Sequence, residues 1–321
     1  MDNKITKTRL VDFLSYEWIL MIIVAVLSIV GWNLVYTVTG VSITKGQQFM
    51  LTYDEGIDNN FGGEFITLAA QDGRFCYDIL EVGIEQVHTS GETNLLSVRY
   101  NTRDIDVFIT DDAELEDTTT RFRTIIDGYI PWSFDGMVKD GKDYLKQFLK
   151  QGIDFNADQT VVYDYNNLDQ AKIESYFAKR QKGDNRFRDE QEKQKGIKGE
   201  KERLQKLCKE LKTLDYLLTE HQDIFVKYKR FAQTFRLYPD DKELEERISY
   251  ETEQFYALKL GALTDGEYQP GDYFTKDGSH KTLVVMCFNF LLDQPDLQYE
   301  NISIINFMVK IFSNRLDGFT A

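Results

Sequence analysis

The feature that most constrains the fold of this chain is a stretch near its start that carries no charge. No charged residue lies between Glu17 and Lys45, and Trp18 to Val38 reads WILMIIVAVLSIVGWNLVYTV. A bilayer core of about 30 Å takes roughly 20 apolar helical residues. Trp18 stands at one end of the stretch, with Trp32 and Tyr36 near the other. At about 1.5 Å per residue these rings are roughly 21 to 27 Å apart, the spacing of aromatics at two headgroup levels. Residues 18–38 therefore predict one N-terminal transmembrane helix, with the lipid bilayer as its partner. A cleaved signal peptide fits less well, because the run is longer than such a core and the following LVYTVTGVSITK offers no small-x-small cleavage site. Lys4, Lys7 and Arg9 precede the run, whereas Lys45 is alone just after it. The positive-inside rule then puts residues 1–17 in the cytoplasm and the C-terminal domain outside the cell membrane.

The rest of the chain is long enough to bury a core of its own. Aromatics make up 13% of the residues and prolines number four, which argues against disorder. A net charge of −15 argues against nucleic acid or anionic lipid as a partner of the whole surface, and solubility is its plainest reading. Cys76, Cys208 and Cys287 are far apart and form no CxxC pair, so the chain is not a small disulfide-stapled domain and at most one internal disulfide is expected.

Strand signals alternate with helix signals through the first half. Gln47 to Asp54 reads as a strand, Phe61 to Ala70 as a helix, Cys76 to Val87 as one or two strands, and Asn94 to Asn101 as a short helix. Ile105 to Thr110, IDVFIT, is a strand that stops at Asp111-Asp112. From about Leu168 the chain turns rich in Lys, Glu, Arg and Gln. Leu204, Leu207, Leu211, Leu214, Leu218, His221, Phe225, Tyr228, Ala232 and Phe235 follow at spacings of three and four, a heptad seam. Pro239 stops this helix, and Asp240 with Glu243 resembles a capping box for a second helix from Asp241 to Leu260. Such a short connection makes the two helices antiparallel neighbours. Thr282 to Phe290 returns to strand, and Ile302 to Leu316 is an amphipathic helix.

The expected architecture is a mixed α/β (α+β) single-lobe domain with an inserted antiparallel α-helical hairpin, plus the one transmembrane helix. Its parts are residues 45–167 and 263–321 for the α/β domain and 168–262 for the hairpin.

The chemistry-bearing residues are few. Asp111, Asp112 and Glu114 stand in an acidic run with Asp104, Asp106, Glu116 and Asp117, of the kind hard cations prefer, although it lacks EF-hand spacing, and acidic residues opening a helix also suit its dipole. Tyr129, Trp132 and Phe134 surround Pro131 and could stack a ligand or pack a core corner. His88, His221 and His280 are scattered. No nucleophile elbow, phosphate-cradling glycine loop or HExxH occurs, so no catalytic residue and no cofactor is expected.

At IDVFITDDAEL and at KTLVVMCFNFLLD with ENISIINFMVKIF the chain resembles the first lobe of extracytoplasmic solute-binding proteins of ABC importers. Its layout is also similar to uncharacterised single-pass membrane proteins of Gram-positive bacteria. The resemblance implies a lobe whose last strand and helix return from late in the chain. It also implies a binding or accessory protein rather than an enzyme. The runner-up expectation is a structural adaptor whose hairpin docks an envelope or transporter complex.

Overall fold

The computed structural model describes residues 7, 8, 11, 18, 21–32, 47–54, 57, 59–87, 95–102, 104–111, 121–129, 131–181, 184–232, 249–250, 253–275, 283–288 and 299–320. Contacts divide the chain into residues 1–42 with 183–188 as one unit, and residues 43–182 with 189–321 as the other.

The larger unit is built on a six-stranded sheet of order β2-β1-β3-β8-β7-β4. The strands are β1 (Gln48–Asp54), β2 (Glu81–Val87), β3 (Val107–Asp111), β4 (Phe225–Tyr228), β7 (Gln254–Lys259) and β8 (Leu283–Cys287). A separate two-stranded pair joins β5 (Phe231–Ala232) to β6 (Ser249–Tyr250). β1 runs parallel to both β2 and β3. β8 is antiparallel to β3 and to β7, and β7 is antiparallel to β4.

The helices are α1 (Asn59–Gln71), α2 (Leu95–Thr102), α3 (Arg121–Tyr129), α4 (Phe134–Lys146), α5 (Gln170–Arg180), α6 (Glu190–Glu220), α7 (Pro270–Phe274) and α8 (Glu300–Phe312). Alternation along the strands sorts them into two layers. Val107 and Ile109 of β3, with Leu283, Val285 and Cys287 of β8, join a core that includes Phe65 of α1, Leu145 of α4, Leu204 to Leu218 of α6 and Ile305 to Phe312 of α8. Phe108, Val284 and Met286 point the other way, onto Leu96 of α2 and Ile125 and Ile126 of α3. A sheet covered on both faces can keep nearly every strand position apolar, as VFIT and LVVMC do.

Helix α6 forms because its leucines at spacings of three and four give one continuous buried stripe, Leu204, Leu207, Leu211, Leu214 and Leu218. Asp189 caps its start, accepting from the Glu192 N–H at 2.8 Å. α6 packs against α4, α5 and α8.

Two sequence expectations are corrected. The first is the membrane span. Among the described residues no helix is long and apolar enough to cross a membrane. Within the expected span residues 18 and 21–32 are helical, and residues 19 and 20 lie outside the described ones. Residues 33–38 of the expected span lie outside the described ones. The second is the helical hairpin. α6 ends at Glu220, and the seam continues only in sequence, because Phe225 to Tyr228 is strand β4 and Gln254 to Lys259, inside the expected second helix, is strand β7. FVKY and QFYALK carry the aromatic and β-branched residues that fit a pleated surface, and cross-strand pairing of Phe225 with Leu258 outweighs a spacing that also suits a helix. The expected capping box at Asp240 and Glu243 lies outside the described residues.

Candidate functional site

In open α/β sheets ligands bind beyond the carboxyl ends of the strands, where neighbouring connections leave toward opposite faces. Here that point lies between β1 and β3. The chain leaves β1 for α1 on one face and leaves β3 for α3 on the other. Asp54 ends β1, and its carboxylate accepts from the Thr110 hydroxyl of β3 at 3.1 Å. Both side chains are buried. The register that pairs Tyr53 with Ile109 sets them side by side. A second hydroxyl in the same row, on Thr52, donates to the Val107 carbonyl at 3.1 Å. The Ile57 N–H closes the turn after β1 on the Asp54 carbonyl at 3.0 Å. The buried pair ties the two strand ends together at this switch point.

A larger polar assembly lies where α6 and α8 meet the segment between α1 and β2. Glu200 accepts from the Tyr77 hydroxyl at 3.0 Å, from Arg180 at 2.9 Å and from Arg203 at 2.7 Å. Arg203 also donates to the Tyr144 hydroxyl at 2.5 Å. Arg180 pairs with Asp78 at 3.1 Å, Arg74 with Glu210 at 2.6 Å and Lys206 with Glu300 at 3.1 Å. Burial alone would push the Glu200 carboxyl up, but the guanidiniums of Arg203 and Arg180 and the Tyr77 hydroxyl hold it below the usual carboxylate range. Glu210 goes the other way: burial raises it despite Arg74. The assembly alternates carboxylates with cations, and its Arg74 also pairs with Asp72 at 2.6 Å. It encloses a cavity of about 10 Å³ lined by Arg203, Lys206, Glu210, Glu300 and Ser303, room for one water. The Ser303 hydroxyl is buried with no protein partner and is placed to hold that water.

The residues singled out in the sequence are dispersed. Tyr129 ends α3 and packs edge-on against Tyr100 at 5.2 Å, on the α2 and α3 side of the sheet. Trp132 and Phe134 are buried on the other side. The Trp132 indole N–H donates to Asp140 at 3.1 Å, and the Phe134 ring meets Phe225 at 5.2 Å. Asp111 is the last residue of β3, opposite Leu283, while Asp112 and Glu114 lie outside the described residues. Among the described residues no group of three or more His, Cys, Asp or Glu could hold a metal ion. His221 caps the end of α6 instead of continuing its seam, with Nδ1 at 3.4 Å from Arg315.

Sequence reasoning missed the Asp54–Thr110 pair and the Glu200–Arg203 network. The first has a readable signal, an acidic residue closing a strand just before Glu55-Gly56. The second has none, because Glu200 and Arg203 stand in a Lys- and Glu-dense helix whose composition reads as solvated.

Comparison with protein families, with characterised proteins and with solved structures gives no match.

Proposed function

We propose that this chain is a non-catalytic, membrane-associated binding or accessory protein built on the plan of one lobe of an extracytoplasmic solute-binding protein, with its ligand end at the carboxyl edge of β1 and β3. The observation that carries the reading is the sheet order: β8 and α8, from residues 283–312, return from late in the chain and β8 lies beside β3. The diverging connections above Asp54 and Thr110 support it further. Residues 21–32 support the membrane association: Met21, Ile22, Ile23, Val24, Val26, Leu27, Ile29, Val30 and Trp32 are all exposed. An apolar surface of that kind marks contact with lipid or protein, and a lipid surface is its proposed seat.

The test is a thermal-shift screen of the full chain with small polar solutes, run beside Asp54→Asn. A bound solute stabilises by mass action, about 2.7 kcal/mol at a hundred times its Kd. A solute that stabilises the parent and not Asp54→Asn supports the reading. Stabilisation by none of the panel, or equal stabilisation of both proteins, overturns the assigned site.

A second reading is favoured by the same exposed segment: an adaptor that docks an envelope or transporter protein through residues 21–32 in place of the hairpin. Flotation with phosphatidylcholine vesicles separates the two. Parent protein that floats, while Ile23→Glu/Leu27→Glu stays in solution, supports lipid. Parent protein that stays in solution removes lipid and leaves the adaptor.

A further inference from the structure

Away from Asp54 and Thr110, on the opposite face of the sheet, a groove of about 390 Å³ opens between α1 and α7. Its walls are Gly63, Glu64, Thr67 and Leu68 of α1 and Tyr273 of α7. Tyr273 is only 8% exposed. Its ring meets Tyr268 edge-on at 5.8 Å and Phe312 at a tilt at 5.8 Å. Its hydroxyl makes no hydrogen bond to a described residue, which leaves the polar tip of a largely buried aromatic open to a ligand. A Cβ on Gly63 would meet nothing within 4 Å, so this wall of the groove is open.

Among the described residues the charges that act on this groove's tyrosine have one sign. Glu64 is on its wall, and Asp272 and Glu267 stand close enough that, after burial and Tyr268, they too push the Tyr273 hydroxyl above its ordinary range. All three carboxylates are exposed, and none of them pairs with a cation among the described residues. A volume of this size suits a small ligand. An apolar floor of Leu68 and a tyrosine face, rimmed by carboxylates, suits a cation whose charge is spread over an organic skeleton. A bare metal ion would want several converging oxygens, which this floor lacks.

We propose that the groove between α1 and α7 binds a small organic cation, a primary or quaternary ammonium compound, with Glu64 as its counter-ion and Tyr273 as the aromatic wall. Thr67 does not compete for the site, because its hydroxyl donates to the Gly63 carbonyl at 2.8 Å and leaves its lone pairs toward solvent.

The test titrates the full chain with tetramethylammonium chloride and with putrescine dihydrochloride by calorimetry, with sodium chloride of equal ionic strength as the control. The variants are Glu64→Gln, which keeps the shape, and Gly63→Phe, which fills the groove from a helical position where a side chain has space. Saturable binding of either probe, weakened about tenfold in Glu64→Gln and abolished in Gly63→Phe, is the expected result. Binding that saturates with neither probe, or that survives both substitutions, overturns the proposal. A response matched by sodium chloride also overturns it, since that reports only screening of the net charge of −15. If Gly63→Phe fails to fold, Glu64→Gln decides alone. Asp54→Asn leaves the titration unchanged, so failure here and failure at the β1–β3 edge are read separately.

Discussion

Glu200 and Arg203, one turn apart on α6, pair at 2.7 Å with side chains that are 0% and 1% exposed, so the charge of each is compensated only by protein groups. Arg180, Tyr77 and Tyr144 complete the set. Such a pair contributes little net stability compared with apolar residues of the same shape. Removing one member, however, strands the other's charge, at about 3–5 kcal/mol. Glu200→Gln and Arg203→Met are each expected to cost that much in urea unfolding. The double substitution should cost clearly less than the sum of the two. Strict additivity would mean that the two side chains are not coupled.

Gly266 and Gly141 make a contrasting pair. A Cβ on Gly266 would lie 2.2 Å from the backbone carbon of Phe312 and 2.3 Å from the Ser313 nitrogen, where the chain also bonds Gly266 N–H to the Phe312 carbonyl at 3.1 Å. Backbone cannot move aside. On Gly141 of α4 the new Cβ would meet the Leu211 Cδ2 at 2.5 Å, the far end of a side chain that can rotate. Gly266→Ala is expected to prevent folding or to exceed the roughly 1–3 kcal/mol usual for overpacking. Gly141→Ala should fall at the low end of that range, since alanine returns up to about 1 kcal/mol of helix propensity. Thermal unfolding of the two variants checks the order.

The strands and helices of the α/β core were legible because each carries its own local pattern. IDVFIT alternates two apolar faces, and residues 300–312 form the expected helix, although it is buried all round except at Lys310 and not on one side alone. The end of α6 was not legible. Leu218, His221, Phe225 and Tyr228 keep helical spacing, yet Phe225 and Tyr228 serve β4, because pairing with β7 is a long-range choice that no local window contains. The apolar run at residues 18–38 reads as a span on composition alone, whereas among the described residues no helix is long and apolar enough to cross a membrane. Glu200 failed in another way. Its burial depends on Arg180, Tyr77 and Arg203 arriving from three places in the sequence, and the letters around it are those of an exposed helix face.

The three cysteines should be silent in the folded protein. Cys76, Cys208 and Cys287 are all buried and unpaired. Burial pushes the Cys208 thiol up to about 12 and raises the other two as well. Thiolate is the reacting form, so a thiol-specific dye at mildly alkaline pH is expected to label none of them until denaturant is added, after which all three react. Prompt labelling of even one in the native protein would show that its segment opens on the timescale of the reaction.

Asp106 gives the fold a pH dependence of unusual sign. It lies at the start of β3, where its carboxylate accepts the Met50 N–H at 2.7 Å. Burial pushes its carboxyl up from 3.8 to about 7, against the lowering effect of that one hydrogen bond, and Asp104 adds to the rise. The folded state therefore holds a proton that the unfolded chain has released, between about pH 4 and pH 7, and stability falls as pH rises through that window. From pH 5 to pH 8 the loss amounts to roughly 2–3 kcal/mol, taking about 1.4 kcal/mol for each unit of pKa difference. Glu210, also raised by burial, adds to the same slope, whereas Glu200, held low, acts only below its ordinary range of 4.5. Asp106→Asn keeps an oxygen for the Met50 N–H and removes the titrating proton. Urea midpoints measured across this range should fall with pH in the parent and stay nearly flat in Asp106→Asn, the variant being the more stable above pH 7. Parallel profiles for the two proteins would mean that Asp106 is already ionised in the fold at neutral pH.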